Sequence, residues 1–402
     1  MRFLFFALFT LGFIVNSSAK VADTMFIPVT TPDAEWYEKI SLRGYTQVRY
    51  NGLLETNPDL GCEQCDRSWG GNGGFFFRRI RLIFFGQVHP RVYFYIQPDF
   101  ASGTGGALNY AQIRDAYFDV GLDDKNEFRF RIGQSKVPFG FENLQSSQNR
   151  LPLDRNDALN SALSNERDIG VFFYWAPEHI RRRFSMLVRE GYKGSGDYGV
   201  LGLGVYNGQL ANQPELNPTP HYVARLAYPF KIGNQIFEPA IQAYTGDYTI
   251  HANRVSPGIN HREDLTYIDQ RAAVSAVLYP RPFGFMAEYN IGRGPEFNKV
   301  NGAIEEANLH GGYITLNYMI RHKDQLIYPF TRLQHYQGGK KHERDARSFH
   351  VNELELGVEW LPYPNFEIVA MYTISQRRYE DFLMPDNFQR GSLLRLQLQL
   401  NF

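Results

Sequence analysis

The sequence predicts an all-β fold, a transmembrane antiparallel β-barrel. Three observations favour it: recurring stretches of about ten residues with alternating polarity, many aromatic residues, and a short apolar N-terminal segment. Aromatic residues make up 15% of the chain, yet its mean hydropathy is −0.38. A barrel explains both values, because its outer face is apolar, its lumen is polar and aromatic rings lie at both membrane interfaces.

The first 19 residues have the pattern of a secretory signal peptide. Arg2 precedes an apolar run over 3–15, and Ser17-Ser18-Ala19 forms a small-residue cleavage site. The run is too short for a membrane-spanning helix. We therefore predict an exported chain with a signal peptide at 1–19, a short periplasmic segment at 20–39 and an outer-membrane barrel at 40–402.

From residue 40 onward, alternating stretches are joined by short turns and longer polar loops in turn, which predicts sixteen strands if 183–207 contributes one. A hairpin around Gly194 to Asp197 would make seventeen. Bacterial single-chain barrels have even strand numbers, so we expect one strand with a bulge or an extended turn. The last strand, 389–402, alternates strictly and ends in Phe402, which resembles the signal read by the barrel assembly machinery of Gram-negative bacteria.

Apolar residues on one face of each predicted strand assign the intervening residues to the lumen. A charge on the lipid face costs about 2–4 kcal/mol at mid-membrane, so arginines within these strands should point inward. The arginines predicted in this way to line a pore are Arg79, Arg81, Arg129, Arg131, Arg225, Arg271, Arg321, Arg332, Arg377 and Arg395. Acids such as Asp119, Glu353 and Glu355 share the lumen, so the charges either line an ion path or pair with one another and brace the wall.

The charge balance of 42 basic and 42 acidic residues argues against a nucleic-acid binder, which needs a basic surface to neutralise phosphates. Ten of the basic residues are lysines and the rest are arginines. Arginine binds oxyanions through a planar fork of donors, which suits an anion path, although strand-rich proteins also often prefer arginine.

The two cysteines, Cys62 and Cys65, lie in a Gly- and Asp-rich loop. Neither the helix start of a redox motif nor further zinc ligands accompany this C-x-x-C. We expect a disulfide between them, because the periplasm is oxidising. No cofactor or metal site is expected.

Several segments resemble the phosphate-selective porins O and P. They are "FFFRRIRLIFFGQV", "IRDAYFDVG" and "RIGQSKVPFG", the last followed by "SS" and "RDIGV"; the likeness covers most of 40–210, and the second half is similar in barrel rhythm. The resemblance implies a sixteen-stranded, trimeric porin of a Gram-negative outer membrane whose third extracellular loop folds inward. It also implies that Arg78, Arg79 and Asp99 line the pore.

In this chain the corresponding loop is 136–165, and the resemblance puts four of its residues near the constriction: Lys136, Glu142, Arg150 and Arg155. Asn143 and Gln148 stand where phosphate-selective members carry lysines. We therefore predict a channel for small anions, with phosphate or polyphosphate as the implied solute. The expected partners are membrane lipid, lipopolysaccharide, two further copies of the chain and, through Phe402, the assembly machinery.

Other functions remain open. A general, non-selective porin fits the same strands, and a barrel closed by 136–165 would act as an adhesin or a structural protein. An outer-membrane enzyme would need clustered acid and base groups at its rim, and loop residues such as His251 and His342 are the candidates, but loops are polar by default, so we predict no enzymatic activity. A lipid transporter would call for an apolar lumen, in contrast to the charged one predicted here.

Overall fold

A computed structural model describes residues 35–62, 69, 74–104 and 107–402. Within these ranges the chain forms one antiparallel sheet of sixteen strands, two of which are briefly interrupted. The strands are β1 Ser41–Leu53, β2 Gly74–His89, β3 Val92–Thr104, β4 Ala107–Gly121, β5 Phe128–Lys136, β6 Arg167–Trp175, β7 Leu201–Tyr206, β8 His221–Ala227 with Phe230–Ile232, β9 Gln235–Thr249, β10 Thr266–Leu278, β11 Phe283–Asn298, β12 Ala303–Tyr318 with Ile320–His322, β13 Gln325–Gly339, β14 Ser348–Tyr363, β15 Phe366–Glu380 and β16 Phe388–Asn401.

The sheet closes because β1 pairs with both β2 and β16, with Tyr45 opposite Asn401. Closure gives every strand two hydrogen-bonded neighbours, which a membrane-spanning sheet requires. The predicted sixteen-stranded barrel is confirmed. Short turns lie at the end where β1 begins and β16 finishes, the periplasmic end, and the longer loops lie at the extracellular end.

The alternation that the sequence predicts holds along most strands. In β16, Arg395 and Gln399 are almost fully buried, whereas the intervening Leu398 and Leu400 are about half exposed at 44% and 50%. Buried here means turned to the lumen, where other side chains cover these groups, and exposed means turned to the lipid. The apolar outer wall therefore belongs to the hydrocarbon of the membrane.

The stretch 183–207 contributes one strand, β7, so the hairpin alternative is wrong. A helix, α3 (Glu178–Arg189), precedes this strand where we expected a bulge or an extended turn. Its apolar residues Ile180, Phe184, Leu187 and Val188 recur at helical spacing and are buried on one face. Glu178 in the first turn and Arg189 in the last turn match the helix dipole.

The predicted signal peptide, 1–19, lies outside the described residues, and so does most of 20–39. A 3-10 helix, Trp36–Lys39, leads into β1. Cys62 is disulfide-bonded, and Cys65, the other cysteine of the chain, also lies outside the described ranges. None of the helices in the described ranges is long and apolar enough to cross a membrane.

Candidate pore constriction

The segment between β5 and β6, residues 137–166, is here named the constriction loop; it contains α1 (Phe141–Leu144) and α2 (Asp157–Ala162). Its residues reach lumen-facing groups on both sides of the barrel. Ser147 Oγ lies 2.7 Å from the Tyr45 hydroxyl of β1, and Phe141 N donates to Glu288 of β11 at 2.7 Å. Arg271 of β10 donates to the Ser161 carbonyl at 3.1 Å. These contacts lay the loop across the lumen.

Three acids of the loop pair with arginines of the β13, β15 and β16 wall. Glu142 contacts Arg332 at 2.9 Å, Asp157 contacts Arg377 at 2.9 Å, and Asp154 pairs with Arg395. Burial alone would raise the pKa of the Asp154 carboxyl, but Arg395 outweighs it and holds that pKa well below its usual range. These acids therefore stay ionised and neutralise arginines on the wall formed by β13, β15 and β16, here named the far wall.

A second wall, formed by β2 and β4, is here named the near wall. Together with the constriction loop it encloses a cavity of 140 Å³ that we call the arginine cavity. Six arginines and two carboxylates line it: Arg78, Arg79, Arg81, Arg114, Arg150, Arg155, Asp154 and Glu166. Burial raises the pKa of Glu166, but Arg155 and Arg167 outweigh it and hold the value well below the usual range. Both acids already have cationic partners, so the cavity keeps a surplus of positive charge.

Two β-bulges create part of this surplus. In the β1–β2 pair the register passes from Arg79 to Phe77, and in the β3–β4 pair it passes from Asp115 to Ile113. The skipped residues are Arg78 and Arg114, and both line the arginine cavity although strict alternation would turn them toward lipid. The bulges thus add two positive charges that the polarity pattern does not reveal.

Arg79 and Arg150, which line the cavity, have donor atoms without a hydrogen-bond partner in the described part of the chain. Arg79 donates to Gln47 Oε1 at 2.7 Å, while its Nε has no hydrogen-bond partner and no carboxylate pairs with it among the described residues. Arg150 lies 3.8 Å from Glu166, beyond hydrogen-bond distance, and its Nε and Nη1 have no hydrogen bond within the described chain. N–H groups without hydrogen-bond partners, in a cavity that has more arginines than carboxylates, can bind an oxyanion.

Most of the other predicted pore arginines pair with acids. Arg81 contacts Asp99 at 2.7 Å, and Arg131 contacts Asp119 at the same distance. The remaining partners are Asp197 for Arg129, Glu238 for Arg225, Asp269 and the Ser161 hydroxyl for Arg271, Glu353 and Asp157 for Arg377, and Asp154 for Arg395. Lys136 donates to the Leu144 and Gln145 carbonyls, and Arg321 is exposed at the periplasmic end of β12. The structure thus brings together Arg78, Arg79, Arg81, Arg150 and Arg155, places Arg321 at the periplasmic end, and pairs the other arginines with groups elsewhere in the lumen.

A second segment enters the lumen from the periplasmic end. Residues 176–200, here named the periplasmic insert, comprise α3 and a buried stretch that follows it. Lys193 pairs with Glu359 of β14, and Asp197 contacts Arg129 of β5 at 3.0 Å. The insert touches the constriction loop directly, because Gln145 Nε2 donates to the Lys193 carbonyl at 2.6 Å.

The space on the periplasmic side differs from the arginine cavity. A cavity of 620 Å³ there is lined by mixed charges and apolar groups: Arg189, Lys193, Arg321, Lys323, Glu190, Asp324, Glu367, Leu326 and Leu361 among others. Arg114, Lys193 and Asp197 were missed by the sequence analysis. The helical spacing of Ile180, Phe184, Leu187 and Val188 is the signal that could have revealed the insert, whereas nothing in the polarity pattern marks the bulge at Arg114.

The closed barrel, with its apolar outer face and a lumen crossed by charged segments, has the architecture of an outer-membrane porin. Residues 59–402 match the family model for phosphate-selective porin O and P, so the chain belongs to this family, as its resemblance implied, and resides in a Gram-negative outer membrane. No curated protein sequence matches the chain.

Solved structures share the fold at low sequence identity. The outer membrane channel DcaP of Acinetobacter baumannii has a TM-score of 0.56 at 12% identity, covering 90% of this chain and 97% of that one. The anion-selective porin from Comamonas acidovorans has a TM-score of 0.54 at 8% identity, with 90% and 99% covered. The trimer form of OmpT from Vibrio cholerae has a TM-score of 0.53 at 10% identity, with the same coverage.

Proposed function

We propose that the porin conducts small anions and that the arginine cavity is the site that selects them. The observation that carries the proposal is the excess of six arginines over two carboxylates in one cavity beside the constriction loop. A charged cleft with walls of low dielectric constant concentrates ions of opposite sign, and therefore favours anion entry. The constriction loop narrows the path at this level.

The donors favour an oxyanion such as phosphate over chloride. Arg79 and Arg150 offer unmatched N–H groups, and a guanidinium binds two oxygens of one anion through parallel hydrogen bonds. The lysines that phosphate-selective members carry in this loop are replaced by Asn143 and Gln148. We therefore expect oxyanion binding that depends on arginine alone. A general, non-selective porin is the competing function.

The test is the reversal potential of the refolded protein in a planar bilayer under a KCl gradient, followed by titration of phosphate against the chloride current. The double variant Arg79→Gln/Arg150→Gln should lower the anion-to-cation permeability ratio severalfold and weaken block by phosphate. Arg182→Gln is the matched control, because Arg182 is an exposed residue of α3 that pairs with Glu178 and does not line the arginine cavity. This control should leave both values unchanged.

Two outcomes would contradict the proposal. Open channels without ion preference in the unmodified protein would favour the general porin. A folded barrel with no conductance would favour a closed barrel that acts through its loops.

We also propose that the chain forms a homotrimer through the outer face of β5, β6 and β7. A membrane-spanning strand needs about 9–11 residues; β5 and β6 have 9 each, the lower limit, and β7 has only 6. A strand too short for the hydrocarbon is stabilised by association, and the outer residues Val171 and Val205 of this wall are apolar and exposed. Val205→Arg should shift the refolded protein from trimer to monomer in native mass spectrometry, while Ile241→Arg on β9 should not; equal trimer fractions in both variants would contradict the proposal.

A further inference from the structure

The outer wall formed by the longer strands carries a row of rings that faces away from the lumen. Tyr289 of β11, His310 of β12, His335 of β13 and His350 of β14 stand side by side. Successive ring centroids lie 6.2, 5.5 and 5.4 Å apart. The sequence neighbours that alternate with these rings are buried toward the lumen: Glu288, Leu309, Gln334 and Val351.

This row lies near the extracellular boundary of the membrane. β13 begins at the periplasmic end with Gln325, and His335 follows ten residues later. At about 3.4 Å per residue and a tilt of about 40°, His335 is about 25 Å above that end, which is the height of the apolar band of an outer-membrane barrel. The rings therefore stand at the level of the headgroups of the outer leaflet.

Further polar side chains extend the row across β14, β15 and β16. Asn352, Gln376, Arg378 and Arg390 alternate with lumen-facing residues and are half-buried or exposed on the outer wall. The Tyr289 hydroxyl lies 2.9 Å from His310 Nδ1, and His335 Nδ1 lies 2.8 Å from Asn352 Oδ1. With the Tyr289 hydroxyl donating to Nδ1, the proton of a neutral His310 ring lies on Nε2 and is available to an anionic group. We name these residues, with the four rings, the polar row.

Directly below the polar row is an apolar groove of 780 Å³. Its outward-facing sides include Val274, Ile314, Leu333, Leu354 and Ile374, and its floor consists of the small residues Ala276, Ala287 and Gly312. A Cβ on Gly312 would lie 2.0 Å from the Glu288 carbonyl oxygen, so no other residue fits there without moving the backbone. The floor of the groove is thus kept free of side chains by the packing of the wall itself.

We infer that this face binds one phosphorylated lipid of the outer leaflet, with an acyl chain in the groove and a phosphate on the polar row. The groove alone would accept any apolar group. The two arginines and three histidines directly above it add cationic and hydrogen-bonding groups at headgroup height, which is complementary to an anionic amphiphile. The inference rests on the outer-membrane location of the barrel and is independent of the ion that the pore conducts.

The test uses the refolded full chain in detergent micelles with two lipid A preparations as probes, one phosphorylated and one dephosphorylated, with the same acyl chains. Native mass spectrometry measures the fraction of protein that retains each probe. The unmodified protein should retain the phosphorylated probe about tenfold more tightly, a difference that requires contacts made only by the phosphates.

Three variants separate the two halves of the site. His335→Gln combined with Arg378→Gln should abolish the preference for the phosphorylated probe. Ala287→Phe should fill the groove and weaken retention of both probes, whereas Ala243→Phe, an equal change on the outer face of β9, should weaken neither. Migration of the unheated protein on a gel verifies that each variant is folded.

Equal retention of the two probes by the unmodified protein would overturn the inference, and so would an Ala287→Phe variant that retains them normally. If Ala287→Phe instead changes the number of associated chains and leaves lipid retention intact, the groove is a contact between subunits. None of these results bears on the reversal potential, so this inference and the proposed anion path can fail separately.

Discussion

The constriction loop and the periplasmic insert enter the same lumen from opposite ends, but they are held there in different ways. The loop is fixed by acids that pair with wall arginines: Glu142, Asp154 and Asp157 reach Arg332, Arg395 and Arg377. The insert is held by an amphipathic helix and by two ionic contacts to the wall, those of Lys193 and Asp197. The loop thus depends on many charges, and the insert on packing and a few charges.

This difference explains where the positive surplus arises. Because the loop uses its acids on the far wall, the near wall retains arginines without a full set of carboxylates, among them Arg79 and Arg150. The two wall contacts of the insert are both ion pairs, and none of its residues lines the arginine cavity, so it adds no charge to that site. Selectivity should therefore be set by the loop, and resistance to flow by the loop and the insert together.

Removing the insert should have the largest effect. Trp175 and Leu201 are register partners at its two ends, so an Asn-Gly turn in place of 176–200 would join β6 to β7 as a tight hairpin. We expect the single-channel conductance to rise severalfold with the anion-to-cation permeability ratio unchanged, because the arginine cavity stays intact. An unchanged conductance would show that the insert does not limit ion flow. A lost ion preference would show that the insert also determines selectivity, in contrast to the role assigned to the constriction loop.

Removing one acid of the loop should have the next largest effect. Asp157 pairs with Arg377 and Lys340, all three fully buried. Asp157→Ala leaves two cations undercompensated, which should lower the free energy of unfolding by about 3 kcal/mol. Urea unfolding of the refolded barrel measures this loss. Asp264→Ala, in an exposed extracellular loop, is the control, and equal losses for the two variants would contradict the assigned role of Asp157.

A smaller loss is expected when the insert loses its lysine. Lys193→Met leaves Glu359 buried without its cation, at a cost of about 2 kcal/mol, since only one pair is broken. The double variant Lys193→Met/Glu359→Leu should recover most of that loss, because it removes both charges. Unfolding midpoints of the two single variants and the double variant give the coupling; additive losses would contradict a direct pair.

The smallest effect is the response to acid. Burial opposes ionisation of Asp157, but Arg377 and Lys340 outweigh it and lower its pKa to about 2. A lowered pKa contributes stability that is complete above the ordinary aspartate value of about 3.9 and is lost as the pH falls toward 2. The urea concentration at the unfolding midpoint should decrease as the pH is lowered from 4 to 2. The decrease should be smaller in Asp157→Asn, which has no carboxylate to protonate at this position. Parallel curves for the two proteins would rule out Asp157 as a source of the response.

The strand count and the lumen-facing side of most strands could be predicted from the sequence, because alternation along a strand has a period of two and lipid on one side forbids charge on that face. Arg81, Arg131 and Arg395 follow that rule and are buried inside the barrel. The same rule fails at Arg114, since a bulge inserts one residue and reverses the alternation locally. A strand was expected within 183–207, but most of that stretch became the insert, where the 3.6-residue period of α3 replaces the period of two.

The sequence by itself determined the barrel and its family, because these depend on local periodicity and on contiguous motifs. Only the tertiary structure decided which arginines are paired and which keep free donors. Pairing joins residues far apart in the chain, such as Asp154 with Arg395, and those contacts exist only after the barrel has closed around the constriction loop. The arginine cavity is therefore a property of the fold, since its surplus charge is what remains after distant acids have found their partners.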